Sequence, residues 1–176
     1  MRGPSRRDYE RFQDLTFEDF RRLARDEKLT SYEKTGFPIE YRKGHEKAIL
    51  RDIGSKLKSL RERKRVITDI GCGCGPLAFE LINHCKKNQS RLLLVDSEEM
   101  LSQLPNKSFM TKFPCRFPEC PDLFGEYRGK VDGVLVYSVL HHVFLESNVF
   151  DFIDKACELL QYGGEMLIGD IPNVSM

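Results

Sequence analysis

From residue 66 onward, short continuous apolar runs alternate with stretches in which apolar residues recur every three or four positions. Val66–Ile70, Arg91–Val95, Phe109–Phe113, Val131–Tyr137 and Glu165–Gly169 read as strands. Within the second, Leu92, Leu93 and Leu94 are too continuously apolar for a strand with one face in water. Pro76–Cys85, Ser97–Leu104 and Asn148–Leu160 read as helices. The last turns Phe152, Ile153, Ala156, Leu159 and Leu160 inward, and Gly163-Gly164 is placed to close it. Strands alternating with helices predict a parallel sheet covered on both faces.

The first 60 residues carry a different pattern and read as a helical extension or cap, with the core over residues 61–176. Thr16 and Asp19 form a capping pair, followed by Phe17, Phe20, Leu23 and Ala24 at helical spacing. Gly36-Phe37-Pro38 interrupts, and a second helix runs from about His45 to Leu60 with Ile49, Ile53, Leu57 and Leu60 on one face. It ends in Arg61, Arg63, Lys64 and Arg65, read as a solvated helix terminus because no aromatics interleave as a nucleic-acid surface would require.

Composition adds little to this picture. At 176 residues, 40% hydrophobic and 31% charged, the chain can bury one core, and a net charge of +1 points to no polyanionic partner. No apolar run approaches the roughly 18–20 residues that span a bilayer. The stretch Met1–Asp8 is basic but lacks a signal peptide's apolar segment, so a cytoplasmic protein is expected. Six cysteines in no C-x2-C pairing read as small reduced thiols, with no metal site.

The chemistry gathers at the strand ends. Asp69-Ile70-Gly71-Cys72-Gly73-Cys74-Gly75-Pro76 joins the first strand to a helix whose first residue is proline. Glycines here let the backbone approach a ligand, and free N–H groups at the helix start suit its anionic oxygens. The third glycine comes one position earlier than in G-x-G-x-x-G, which argues against NAD. Asp96 follows the second strand, about twenty residues beyond the turn, where a carboxylate can accept both hydroxyls of a ribose, with Ser97 beside it. Tyr137-Ser138-Val139-Leu140-His141-His142 follows the fourth strand and Asp170-Ile171-Pro172 the fifth.

Taken in order, these pieces resemble the class I S-adenosylmethionine-dependent methyltransferases, in their small-molecule branch, over Val66 to Ile171. Asp69-x-Gly71-x-Gly73-x-Gly75 is similar to the family's cofactor loop, and Leu93-Leu94-Val95-Asp96 to its ribose-binding strand end. Val131–His142 is similar to the fourth strand with its loop, and Leu159–Ile168 to the approach to the fifth. The resemblance implies an α/β Rossmann-like three-layer sandwich with a mostly parallel sheet in the order 3-2-1-4-5. It also implies binding of S-adenosyl-L-methionine, methyl transfer to a small-molecule acceptor, and release of S-adenosyl-L-homocysteine. The implied cofactor contacts are Asp69, Gly71, Cys72, Gly73, Gly75, Asp96, Ser97, Phe117, Tyr137 and Ser138.

His141 is the candidate base for a hydroxyl acceptor; alternatively it only packs or hydrogen-bonds within the cleft while His142 faces the following helix. Phe117 and Glu119 are candidates for adenine, and Arg42 for the methionyl carboxylate if the N-terminal helices cover the site; otherwise it is a surface cation. The family's sheet has two further strands beyond the fifth, so the chain is expected to be truncated, with the exposed fifth strand open to homodimer formation. Residues Tyr32–Pro38 faintly resemble methyltransferases of bacterial surface polysaccharide, which suggests a sugar or nucleotide-sugar acceptor. A non-catalytic module that binds the same cofactor is the alternative of another class, and an NAD-dependent oxidoreductase a third.

Overall fold

In the computed structural model, which describes residue 12 and residues 14–171, five strands form one sheet. They are β1 Val66–Ile70, β2 Arg91–Asp96, β3 Met110–Pro114, β4 Val131–Tyr137 and β5 Leu160–Gly169. The sheet order is β3-β2-β1-β4-β5 and every neighbouring pair is parallel. Residues 1–8 and Pro172, read above for targeting and for the fifth strand end, lie outside the described residues. No helix among the described residues is long and apolar enough to cross a membrane.

The run Leu92–Val95 shows why this sheet is buried on both faces. Leu92 and Leu94 point into one core, Leu93 and Val95 into the other, and all four are essentially inaccessible. The first core is closed by α4 Glu46–Lys56 and α6 Pro76–Lys87, the second by α8 Pro121–Tyr127 and α10 Val149–Leu159. Helix α6 buries Ala78, Leu81, Ile82 and Cys85 at the spacing of one helical face, with Gly75 at its N-cap and Pro76 next. Before the sheet lie α1 Phe17–Arg25, α2 Ser31–Lys34 and α3 Ile39–Arg42, and α1 opens with the expected Thr16–Asp19 capping box. Two further short helices follow β2 and β4, α7 Glu98–Leu101, capped by Ser97, and α9 Leu140–Glu146.

Two elements depart from the sequence pattern. The helix expected over His45–Leu60 breaks at Leu57, whose backbone is extended, and resumes as α5 Lys58–Arg61. The Glu165 carboxylate of β5 accepts the N–H groups of Lys58 (2.8 Å) and Ser59 (3.4 Å), satisfying donors that the break releases. Ile53, Leu57 and Leu60 remain buried on both sides of it. The second departure concerns Gly163-Gly164, which does not close a helix. Helix α10 ends at Leu159, Leu160 already pairs with Val131, and the glycines sit in an excursion of β5 before Glu165 pairs with Gly133. Gly163 needs its positive φ of 78° there, and Gly164 passes close to the Val131 carbonyl. Among the described residues β5 pairs only with β4, so it forms an edge of the sheet.

Gly133 shows how tightly α5 sits on β4: a methyl group there would overlap Ser59 Oγ, a buried atom with no hydrogen-bond partner. Gly133→Ala is expected to cost about 1–3 kcal/mol. Adding Ser59→Ala should recover part of that loss, read from urea-unfolding midpoints. A Gly133→Ala protein as stable as wild type would contradict this packing.

Candidate cofactor-binding site

The ends of β1, β2, β3 and β4 open into one cavity, covered by the N-terminal segment. Its floor is the glycine turn. Gly71 (φ 73°) lies against Val139 and Gly73 (φ 60°) against Thr35, so a side chain at either would meet both a forbidden backbone and a neighbour. The Gly71 N–H donates to the Val95 carbonyl at 2.8 Å, fixing the turn to β2. Cys72 lines the cavity between the two glycines. Burial pushes its thiol well above the ordinary value and raises that of Cys74 to about 11, so both stay protonated near neutral pH. Among the described residues, no group of three or more His, Cys, Asp or Glu side chains is arranged to hold a metal ion.

Asp96 stands at the mouth of this turn. Its carboxylate accepts the N–H of Gly73 (2.8 Å) and of Ser97 (2.7 Å), one on each oxygen, leaving lone pairs that face the cavity. Burial raises its pKa to about 6, against the pull of those two amides. Asp69 is more extreme. It is 5% exposed, has no side-chain hydrogen bond among the described residues, and is raised to about 7 by burial and then by the charge of Asp96.

Eight of the sequence-predicted contacts line the cavity together: Gly71, Cys72, Gly73, Gly75, Asp96, Phe117, Tyr137 and Ser138. Asp69, Ser97 and His141 do not. Ser97 is buried and caps α7 through the Met100 N–H (3.3 Å). Phe117 is held edge-on against Phe152 at 4.9 Å and beside Phe124 at 5.8 Å, whereas Glu119 is exposed outside the cavity.

The loop that carries Phe117 corrects the reading of the cysteines. Cys115 and Cys120 are joined in a disulfide, so four cysteines rather than six are free. The cause is local. The chain turns back after β3, with Glu119 N–H donating to the Arg116 carbonyl (2.7 Å) and Cys120 N–H to that of Pro118 (2.8 Å). This brings the two Cα atoms to 5.5 Å, within bonding range.

Of the two histidines it is His142, and not His141, that lines the cavity. Its Nδ1 lies 3.1 Å from the Leu15 carbonyl and its ring meets Phe20 edge-on at 4.8 Å. Burial, followed by the neighbouring His141, lowers its pKa to about 4. His141 is half-buried behind it, with its pKa lowered by burial and a buried Nδ1 that has no hydrogen-bond partner. Because α9 starts at Leu140, both rings are carried on a helix and not on a loop, and the one turned to the N-terminal segment is His142.

Arg42 is buried, at 8% exposure, and is not the surface cation expected. Its guanidinium lies 3.9 Å over the Phe37 ring and 5.5 Å from the centre of Tyr137. Nη2 donates to Ser138 Oγ (2.6 Å) and to Asp170, which replaces the lost hydration. Ser138 and Asp170, at the ends of neighbouring strands, both hold positive φ (62° and 55°), backbone strain of a kind concentrated at functional sites. Among the described residues Nη1 and Nε of Arg42 make no hydrogen bond, and the side chain lines the cavity.

The N-terminal helices, expected as an extension or cap, lie over the cavity, and the residues that close it could not be named from the sequence. Phe17, Phe20, Thr35 and Phe37 line the cavity from the N-terminal side, and Arg116, Val143 and Glu146 from the other. Glu146 accepts the Phe17 N–H at 2.7 Å, at the start of α1, and pairs with Arg116 at 3.4 Å. On the opposite flank Glu99 takes Arg21 (3.0 and 2.8 Å) and Arg25, and Arg21 holds its carboxyl down at about 2. The capping box and the spacing of Phe17, Phe20, Leu23 and Ala24 pointed to α1 in the sequence; the contact with Glu146, 129 residues away, left no such signal.

No protein-family model matches the chain, and no curated protein matches it by sequence. Solved structures match over most of its length. A candidate S-adenosyl-L-methionine-dependent methyltransferase from Methanococcus maripaludis aligns with a TM-score of 0.58 at 16% identity, over 99% of this chain and 70% of the other. A methyltransferase of the same cofactor class from Aquifex aeolicus aligns at 0.55 and 13% identity, over 88% and 72%. The 1,6-didemethyltoxoflavin-N1-methyltransferase of Burkholderia thailandensis, solved with 1,6-didemethyltoxoflavin and S-adenosylhomocysteine, aligns at 0.55 and 17% identity, over 88% and 64%. The fold is the Rossmann-like one of these methyltransferases.

Asp69 provides a test of the electrostatics. Its folded-state pKa lies above its ordinary 3.8, at about 7, so the folded protein holds this proton more tightly than the unfolded chain. Its stabilising contribution is full below about pH 4 and is lost as the pH rises through about 7. Asp69→Asn, neutral throughout, should match wild type near pH 4 and exceed its stability near pH 8 in urea unfolding. The same difference at both pH values would show that Asp69 is not held protonated.

Proposed function

We propose that this chain binds S-adenosyl-L-methionine and transfers its methyl group to a small-molecule acceptor, releasing S-adenosyl-L-homocysteine. The observation that carries the reading is Asp96: a carboxylate fixed by the glycine turn and the start of α7, with lone pairs left for two hydroxyls, in the same cavity as a buried arginine. When bound, the cofactor supplies a methyl group made electrophilic by a sulfonium centre.

The residues present suit such a ligand. Gly71 and Gly73 let the turn run at positive φ close against Val139 and Thr35, which any Cβ would overlap, and so bring its backbone to the cavity floor. Asp96 accepts the ribose hydroxyls, and Phe117 offers its ring to the base. Arg42 has Nη1 and Nε for a carboxylate, while Asp170 and Ser138 hold its Nη2. Tyr137 and Ser138 form the wall at the end of β4. The NAD alternative is disfavoured because Gly75 is the N-cap of α6, where a dinucleotide turn has its third glycine one residue further on.

Methyl transfer is a displacement at carbon, and holding nucleophile and methyl group in line supplies much of its acceleration. The side chains named here do not include a strong base: His142 is depressed to about 4, and His141 stands outside the cavity wall. Catalysis is therefore assigned to positioning, and His141→Ala is expected to retain turnover. The cavity's two carboxylates are Asp96, already assigned to ribose, and Glu146, engaged with Phe17 and Arg116. Among the described residues no further carboxylate lines the cavity to favour a sugar acceptor, so the acceptor class stays at small molecule.

Titration calorimetry with S-adenosyl-L-homocysteine should show one site per chain, and NAD should not compete. Asp96→Ala, with its fold checked by circular dichroism, should weaken binding by about tenfold to a hundredfold, the worth of one or two hydrogen bonds to a carboxylate. Absence of binding by wild type would overturn the reading. Turnover against a panel of acceptors then separates methyl transfer from binding alone.

A further inference from the structure

The disulfide is placed where it can act on the cavity. Cys115 lines the cavity, and so do the next two residues of the bridged loop, Arg116 and Phe117. The Cys115 N–H donates to the Asp96 carbonyl at 3.0 Å, so one end of the bridge is anchored to the residue at the centre of the site. The other end, Cys120, is buried at the start of α8. Arg116 carries the loop's position further, to Glu146 and over the Phe17 ring at 6.0 Å. Three of the four free thiols offer little competition for exchange, because burial raises Cys72, Cys74 and Cys85, the latter two to about 11 and about 12; the fourth, Cys157, is exposed.

We propose that Cys115 and Cys120 form a reversible redox site whose oxidation state sets the affinity of the cavity for its S-adenosyl ligand, an inference that rests on the cofactor reading above. In the oxidised protein the bridge holds the loop in the conformation that presents Phe117 and Arg116. In the reduced protein the loop keeps its packing on Phe124 and Phe152 but loses the covalent tie, and binding must bear the entropy of ordering it.

The reductant is a dithiol, which donates two electrons. One of its thiolates attacks Cys115 Sγ, the half-buried sulfur on the cavity side, and the S–S bond breaks with its electron pair leaving on Cys120, which takes a proton. The second thiol of the reductant then displaces Cys115 and departs in the reductant's own disulfide. Coupling is reciprocal: a ligand that prefers the bridged loop also shifts the bridge toward its oxidised form by the same factor.

The test measures S-adenosyl-L-homocysteine affinity of the full chain by calorimetry, without reductant and in excess dithiothreitol, with free thiols counted after denaturation. The oxidised protein should show four thiols and bind about fivefold or more tightly than the reduced one, a fraction of what closing so short a loop is worth. The Cys115→Ser/Cys120→Ser double variant should bind like the reduced protein and ignore dithiothreitol. The wild-type comparison stands alone should that variant fail to fold. Equal affinity in both states, or six free thiols without reductant, overturns the redox site and leaves the cofactor reading intact. Four thiols with no binding in either state overturns the cofactor reading, and the coupling with it.

Discussion

Asp96 ties three strand ends together. One carboxylate oxygen takes the Gly73 amide and so sets the glycine turn after β1; the other takes the Ser97 amide at the start of α7; its carbonyl accepts Cys115 after β3. The parallel sheet brings β1, β2 and β3 side by side, and this residue converts that adjacency into a single surface. The carboxylate must be where it is for the turn to hold its shape, and the turn must be glycine for the backbone to come that close. Recognition and local folding thus depend on the same few hydrogen bonds.

The arrangement has an electrostatic consequence. Asp96 and Asp69 are both buried, and each is raised by its removal from water; Asp69 is raised further by Asp96. Arg42, buried in the cavity wall, is already paired with Asp170. The site is thus poorer in positive than in negative charge where the turn meets β2, the condition a cationic ligand relieves. A ligand with an ammonium and a sulfonium meets that condition, and a dinucleotide with two phosphates does not.

What the sequence shows and what it hides divide by distance along the chain. Leu92–Val95, the Asp69–Pro76 turn, the Thr16–Asp19 cap and the α6 stripe are settled by neighbours a few residues apart, and all were legible. Arg42 was legible as a residue and not as a place, because its burial is decided by Asp170, 128 positions on. The break at Leu57 depends on a carboxylate from β5, and the cover of the cavity on Glu146. Gly163-Gly164 carried a true signal for unusual backbone, but periodicity cannot tell a helix end from an excursion of an edge strand. The two cysteines were readable as a pair only once the turn between them was known.

The cover and the core are held by different kinds of interaction. The sheet is fastened by side chains with almost no exposed surface, and removing any one leaves a cavity that the surroundings cannot fill. The N-terminal segment is fastened by half-exposed ion pairs at Glu99 and Glu146, by the His142 contact to Leu15, and by aromatic edges. Exposed pairs of that kind contribute about 0–1 kcal/mol each. Segments held in this way open at free energies far below that of global unfolding. A cavity closed on one side by the sheet and on the other by such a segment has one rigid wall and one weakly held wall. The glycine turn and Asp96 belong to the first; Phe17, Phe20 and His142, which close over them, mark where the second begins.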